Sequence, residues 1–177
     1  MSPRLGRGAL AVAAVLALGG CGPSTPPPRP TSLSFRPPAS YLHVFPSRHA
    51  MSLLVVAGAR TGGFDLDGTE HGAMRLTVPL GWRVTVTLRN LSTLHNSLAL
   101  VAGPSSTSPV LPGAAVPAGR LRQGIPEGAS ASFTFRATRP GLYRLASLVP
   151  GHETSGMWAL VRVAAGVRPS LALGVGG

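Results

Sequence analysis

Three side chains have types and spacing that suit a soft metal ion. His152 and Met157 are separated by four residues, and His95 stands earlier, where a β-type segment begins. Two imidazoles and a thioether form a soft ligand set that suits copper, and the thioether favours Cu(I). A β-sandwich can bring an early histidine beside a late loop. We therefore expect His95, His152 and Met157 to form a copper site.

The elements that must position these residues are short β-type segments separated by turn residues. Residues 83–89 alternate strictly, which places Val84, Val86 and Leu88 on one face. Further segments of this kind lie at 52–57, 75–78, 97–101, 132–136, 142–148 and 157–163. The pattern lacks a long helical period, so it predicts an all-β sandwich of about seven or eight strands in a single domain. Residues 103–128 are rich in Gly, Pro, Ser and Ala and predict a long surface connection, with a short helical turn near 114–122.

The first forty residues indicate export and anchoring rather than folding. Residues 1–20 combine a basic start with a short apolar run, as a lipoprotein signal peptide does, and Leu-Gly-Gly precedes Cys21 as in a bacterial lipobox. Cys21 is the single cysteine, so no disulfide can form within the chain and lipidation is expected. Residues 21–40 then predict a lipidated cysteine and a proline-rich linker. The folded domain is expected at 41–166, with a flexible tail at 167–177.

The chain is strongly basic, and this limits the class of partner that it can bind. The formal net charge is +11, and every basic residue is an arginine. A basic domain suits an anionic membrane surface or an acidic protein partner. The arginines are scattered and the export signal leads away from nucleic acid, so a nucleic-acid partner is not expected. We expect an extracytoplasmic protein, attached to a bacterial membrane through its lipid.

Several runs of the sequence resemble the sulfocyanin branch of the cupredoxins. They are Gly-Phe-Asp-Leu-Asp-Gly at 63–68, Val-Pro-Leu-Gly-Trp at 78–82 and the Asn90 to His95-Asn96 loop. The most specific run is Gly-His-x-x-Ser-Gly-Met-Trp at 151–158. The resemblance covers residues 51–163.

The resemblance implies a Greek-key, cupredoxin-like sandwich and a copper site. In that family a cysteine, two histidines and a methionine bind one copper, which shuttles electrons in respiratory chains. Matched residue by residue, His95, His152 and Met157 take the histidine and methionine positions, while Ser147 takes the cysteine position. A blue copper centre depends on a copper–thiolate bond, and a serine hydroxyl is a poor ligand. The sequence therefore predicts a degenerate ligand position at Ser147.

Three functions follow from this combination. The first is copper handling or delivery by an extracytoplasmic, lipid-anchored, sulfocyanin-like protein, with an acidic respiratory or copper-receiving protein as partner. The second is a metal-free binding module that docks to a respiratory or membrane complex, in which Met157 and Trp158 serve only the core. The third is a respiratory electron carrier, which Ser147 opposes. No arrangement of serine, histidine and acid typical of a hydrolase is present, so no enzyme is expected.

Two other groups of residues are weaker candidates. His43, His49 and Met51 form a loose cluster that could add copper affinity, and His71 stands alone in a loop. Solvent-exposed histidines near a linker are the alternative. The acids Asp65, Asp67 and Glu70 share one loop but lack the EF-hand spacing, so a hard-cation site there is only weakly indicated.

Overall fold

The computed structural model describes residues 40–60 and 63–174. Within them the chain forms ten strands and one 3-10 turn, with no α-helix. The strands are β1 (Leu42–Phe45), β2 (Ala50–Ala57), β3 (Met74–Pro79), β4 (Arg83–Asn90), β5 (Leu98–Val101), β6 (Ala115–Val116), β7 (Ser130–Arg136), β8 (Gly141–Ala146), β9 (Trp158–Ala164) and β10 (Ser170–Leu173). The signal peptide, Cys21 and nearly all of the linker lie outside the described residues. No helix in the described part is long and apolar enough to cross a membrane.

The strands form two mixed sheets. The four-stranded sheet has the order β1-β2-β4-β7, and the six-stranded sheet has the order β10-β3-β9-β8-β5-β6. The β2–β4 and β3–β9 pairs are parallel, and all other pairs are antiparallel. The predicted all-β, cupredoxin-like sandwich is confirmed.

Period-two alternation builds the core between the sheets. In β4 the side chains of Val84, Val86 and Leu88 are fully buried, while Arg83 and Arg89 on the other face are exposed. The same alternation recurs in β7 and β9. Since successive side chains of a strand point to opposite faces, each of these strands gives its apolar half to one shared core.

All seven predicted segments are strands, and three further strands were not predicted. β1 pairs with β2 as an edge strand, and β6 pairs with β5 through two residues only. The predicted helical turn near 114–122 is absent; these residues form β6 and turns. β10 corrects the predicted flexible tail, because Ser170–Leu173 pairs with β3 and its leucines pack against the core.

The loops gather at two opposite ends of the sandwich. One end, called the site end here, contains the β2–β3, β4–β5, β6–β7 and β8–β9 loops. The strand register places them together, because Ala57 is level with Asn90, Arg89 with Ser130 and Ala99 with Ala146. The opposite end, called the basal end, contains the β1–β2, β3–β4, β7–β8 and β9–β10 turns.

Candidate metal centre

The loop between β8 and β9 holds Ser147, His152 and Met157 in a closed turn. The Ser147 N–H donates to the Met157 carbonyl at 3.1 Å, and the Met157 N–H donates to the His152 carbonyl at 3.0 Å. All three side chains are buried, and Met157 belongs to the main core. The loop therefore presents these side chains to the interior of the site end.

The side chains of Ser147 and His152 are hydrogen-bonded to each other. Ser147 Oγ lies 3.1 Å from His152 Nδ1, and the Ser97 N–H donates to Ser147 Oγ at 3.4 Å. In return, Ser97 Oγ accepts the Leu148 N–H at 2.9 Å. Ser147 Oγ therefore either donates its own hydroxyl proton to His152 Nδ1 or accepts one from it, according to the tautomer of the ring.

Burial affects the charge of the His152 ring. Desolvation by burial lowers the pKa of His152 below its ordinary value, so the imidazole is neutral near pH 7. A neutral ring that accepts at Nδ1 carries its proton on Nε2. In either tautomer, His152 Nδ1 is engaged by Ser147.

The pair is not a catalytic serine–histidine dyad. Ser147 is only 1% exposed, so its hydroxyl cannot reach a substrate in solution. Within the described residues, the side-chain hydrogen bond of His152 is to Ser147, and no carboxylate orients its ring.

The residue that enters the interior from the β4–β5 loop is Asn96, not His95. Asn96 is fully buried and precedes Leu98, whose side chain faces the main core from the same side of the strand. His95 is exposed and makes no hydrogen bond or ring contact within residues 40–60 and 63–174. The structure therefore brings Ser147, His152 and Met157 together but leaves His95 outside, and metal ligation by His95 stays a prediction.

Asparagine hydrogen bonds hold the Asn96 side chain in place. Asn96 Nδ2 donates to Asn90 Oδ1 at 2.9 Å and to the Leu94 carbonyl at 3.2 Å. Asn90 Nδ2 donates to the carbonyls of Leu94 and Ile125. Asn96 Oδ1 is buried without a hydrogen-bond partner. This orphaned oxygen is a hard acceptor, and sequence reasoning missed it because only the histidine beside it has an obvious metal-binding side chain.

The β2–β3 loop covers the site with two rings. Phe64 meets His152 edge-on, with 5.3 Å between ring centroids. The His71 N–H donates to the Gly156 carbonyl at 2.8 Å, and its ring lies over Gly156 so closely that a Cβ there would be 2.8 Å from Nε2. His71 thus packs against the loop, and Phe64 is a site neighbour that the sequence did not single out.

Buried carboxylates shape the β2–β3 loop rather than bind a cation. Asp65 accepts the N–H groups of Ala59, Arg60 and Gly68, and Asp67 Oδ1 accepts the Val56 N–H at 2.7 Å. Desolvation raises the pKa of Asp65, and it raises the pKa of Asp67 to about 8. In the described part of the chain, no three His, Cys, Asp or Glu side chains come together as a metal site.

The His43–His49–Met51 cluster does not assemble either. Met51 lies in the core, whereas His43 and His49 are exposed. The His49 ring instead lies 5.8 Å from Trp82.

The donor set at the site end does not fit a blue copper centre. The candidate copper donors among the buried site-end side chains are one imidazole, one thioether, a serine hydroxyl and an asparagine amide, from His152, Met157, Ser147 and Asn96. A blue centre requires a thiolate and two imidazoles, and neither requirement is met by these four. The hydrogen bond between Ser147 and His152 satisfies Ser147 Oγ and His152 Nδ1 without a metal ion, whereas Asn96 Oδ1 has no partner.

Comparisons with known proteins agree with the fold. The family model of the sulfocyanin (SoxE) domain matches residues 38–172. A sulfocyanin from Sulfolobus acidocaldarius is 27% identical over 121 residues, which is 63% of this chain and 61% of that protein. The chain thus matches less than two thirds of the length of this relative.

Solved structures resemble the chain in fold alone. A crystal structure of rusticyanin has a TM-score of 0.50 at 19% identity and covers 66% of this chain and 78% of that chain. Auracyanin from Roseiflexus castenholzii has a TM-score of 0.46 at 21% identity and covers 64% and 96%. The family model, which spans most of the sequence, is the stronger finding, and the chain belongs to the sulfocyanin family of cupredoxin-fold proteins.

Proposed function

We propose that this sulfocyanin-family chain works as a metal-free binding module at the outer side of a bacterial membrane. The observation that carries the proposal is the buried hydrogen bond between Ser147 and His152, beside an interior Asn96. Ser147 takes the position of the ligand cysteine and Asn96 that of the first histidine. With both replaced, the loop keeps its shape through hydrogen bonds instead of metal bonds.

The chemistry of serine argues against electron transfer as the function of this chain. A serine hydroxyl stays protonated near neutral pH, and it lacks the covalent bond to copper that a thiolate supplies. The hydroxyl is also hydrogen-bonded to His152. A respiratory electron carrier, which the family resemblance favours, is therefore the weakest of the three functions. The proposal also assigns no enzymatic activity to the chain.

The membrane location is part of the proposal and rests on the sequence. Cys21 would carry the lipid, and the proline-rich residues 22–40 would connect the domain to this anchor. The partner would be a respiratory or membrane complex with an acidic surface, since residues 21–177 contain fourteen arginines and five acids.

Copper loading of the full chain tests the proposal. The chain, with Cys21→Ser to remove the free thiol, is incubated with Cu(II) or with Cu(I) under reductant and is then desalted. We expect substoichiometric copper by elemental analysis and no intense visible band with Cu(II). Retention of one copper per chain that is lost in His152→Ala would overturn the proposal.

Copper handling is the second candidate, and one observation favours it. The neutral His152 imidazole and the Met157 thioether are interior groups of one loop, and such neutral soft donors suit Cu(I). The relatives include auracyanin A, described as a blue copper protein, and rusticyanin, described as a copper protein. This function requires His95 to turn inward, so the His95→Ala variant should then lose Cu(I) as fully as His152→Ala does.

A further inference from the structure

The acidic residues of the chain are confined to one end of the domain. All five lie in site-end loops: Asp65, Asp67 and Glu70 between β2 and β3, Glu127 between β6 and β7, and Glu153 between β8 and β9. Glu153 is further neutralised by Arg144, with 2.9 Å between Nη1 and Oε1. The site end is therefore electrically mixed, and the basal end contains no acid.

The basal end is basic. Exposed arginines stand in its four turns or at the strand ends beside them: Arg48, Arg83, Arg136, Arg139, Arg162 and Arg168. The described residues contain no ion pair for any of them. Their positive charge is therefore not compensated within the described domain.

The basal end is also where large apolar side chains reach solvent. Five are exposed in the described residues, and four of these are Val44, Phe45, Leu80 and Leu142. Leu142 is 70% exposed and lies level with Arg162, while Phe45 is 44% exposed. Phe64, beside His152, is the fifth. Exposed apolar residues and uncompensated arginines thus occur together at one end.

Hydrogen bonds hold the basal turns in one surface. The Arg83 N–H donates to the His49 carbonyl at 2.9 Å, and the Ala137 N–H donates to the Trp82 carbonyl at 2.9 Å. The Leu80 N–H donates to the Ala164 carbonyl at 2.9 Å. These backbone bonds connect all four turns, so the basal turns form one continuous end of the domain.

One cross-strand row shows that the basal end is not arranged for stability alone. Phe45, Ala50, Arg83 and Arg136 stand side by side across the four-stranded sheet. Arg83 and Arg136 are directly opposite each other, and like charges in that relation are destabilising. An anion bound from outside would relieve the repulsion.

We propose that the basal end docks on the surface of an anionic lipid bilayer. Arginines bind lipid phosphates, and Phe45, Leu80 and Leu142 enter the interfacial region, as basic and apolar residues do in peripheral membrane binding. A bilayer fits better than an acidic protein because the apolar residues are dispersed among the arginines and do not form one dry patch. Docking in this way directs the site end, with Phe64 and His152, away from the membrane.

The two tryptophans of the chain report this orientation directly. Trp82 lies in a basal turn, and Trp158 begins β9 at the site end, where its ring contacts the Arg144 guanidinium at 3.8 Å. The variants Trp158→Phe and Trp82→Phe of the full chain each retain one emitter. Vesicles of phosphatidylcholine, with or without phosphatidylglycerol, carry brominated acyl chains that quench emission at short range.

We expect Trp82 emission to be quenched on vesicles with phosphatidylglycerol and Trp158 emission to be unchanged. Quenching reports how the domain is oriented, so the result does not depend on how residues 1–39 attach or on whether the site holds copper. Equal quenching of both tryptophans, quenching of Trp158 alone, or no quenching with an intact fold would overturn the proposal. The last result would point to an acidic protein as the partner of the basal end.

Charge-matched variants test the role of the arginines. Arg83→Gln with Arg136→Gln removes two basal charges, and we expect about tenfold less of the docked state, measured by Trp82 quenching. The control, Arg120→Gln with Arg122→Gln, removes two exposed charges from the site end and should dock as the parent does. An equal loss in both pairs would mean that net charge alone attracts the domain, and would overturn the assigned face.

Discussion

Ser147 Oγ and His152 Nδ1 lie 3.1 Å apart in the interior of the β8–β9 loop. The bond joins two buried polar groups, and Ser97 connects the same serine to the β4–β5 loop. Through these two hydrogen bonds the Ser147 hydroxyl links the β8–β9 loop to the β4–β5 loop, as a metal ion could. The predictions below test this relationship and the loops around it.

Removing the hydroxyl should weaken the domain. Ser147→Ala leaves His152 Nδ1 and the Ser97 N–H without a partner, and a buried unsatisfied group costs about 1–3 kcal/mol. Urea unfolding of the full chain should therefore show a lower free energy of unfolding by about that amount. Ser155→Ala, at an exposed position of the same loop, is the control and should change it by less than about 0.5 kcal/mol. Equal stability of the parent and Ser147→Ala would show that the hydrogen bond does not hold the loop.

The Asp67 carboxyl should make stability fall as the pH rises. Burial raises its pKa from 3.8 to about 8, so between these values the folded chain binds a proton that the unfolded chain has released. The stabilisation is complete below the unfolded pKa and is lost as the pH rises through the folded pKa. Asp67→Asn is neutral throughout and can keep the Val56 hydrogen bond at Oδ1.

Melting temperatures measured at about pH 5 and about pH 9 test this sign. The parent should lose stability over the interval relative to Asp67→Asn, and the variant should be the more stable of the two at the higher pH. Glu127→Gln removes an exposed carboxyl and should follow the parent. A parent that gains stability over this interval relative to Asp67→Asn would contradict the assigned protonation.

Close packing of Gly72 against Trp158 should make that glycine hard to replace. A Cβ at Gly72 would overlap the Trp158 indole, and the φ of +76° adds backbone strain. Gly81 has a similar φ of +84° but open space around its Cβ position. We expect Gly81→Ala to cost about 1–2 kcal/mol from backbone strain and Gly72→Ala about 1–3 kcal/mol more from overpacking. Denaturant unfolding of both variants compares the two costs, and equal values would mean that the ring moves freely.

The fold could be predicted because its sequence signals are local. The site could not be predicted, since its residues depend on the register of the strands. The alternation of Val84, Val86 and Leu88 specifies a strand by itself. Ser170–Leu173 alternates in the same way, although the sequence analysis predicts a flexible tail there. The choice between His95 and Asn96 is different. Neighbouring residues of a strand point to opposite faces, so a shift of one residue exchanges the interior side chain for the exposed one. Only the pairing of β5 with β8 settles which of the two side chains faces the interior.

The last prediction tests which residue faces the site. If Asn96 and Ser147 occupy interior ligand positions, Asn96→His with Ser147→Cys should supply the missing imidazole and thiolate beside His152 and Met157. In the full chain with Cys21→Ser, this variant should turn blue or green with Cu(II). The parent should stay colourless, and Ser147→Cys alone should lack the full band, since one imidazole is missing.

Further substitutions in the coloured variant assign its ligands. His152→Ala should abolish the band, Met157→Leu should shift the reduction potential and keep the band, and His95→Ala should leave both unchanged because its side chain is exposed. The competing expectation from the sequence is that Ser147→Cys alone is enough to produce the visible band, with His95 as the second imidazole ligand. A full band in that single variant, lost on His95→Ala, would show that His95 turns inward and that Asn96 is only structural. A colourless double variant, folded and with a free thiol, would show that the β8–β9 loop does not form a copper cage in this chain.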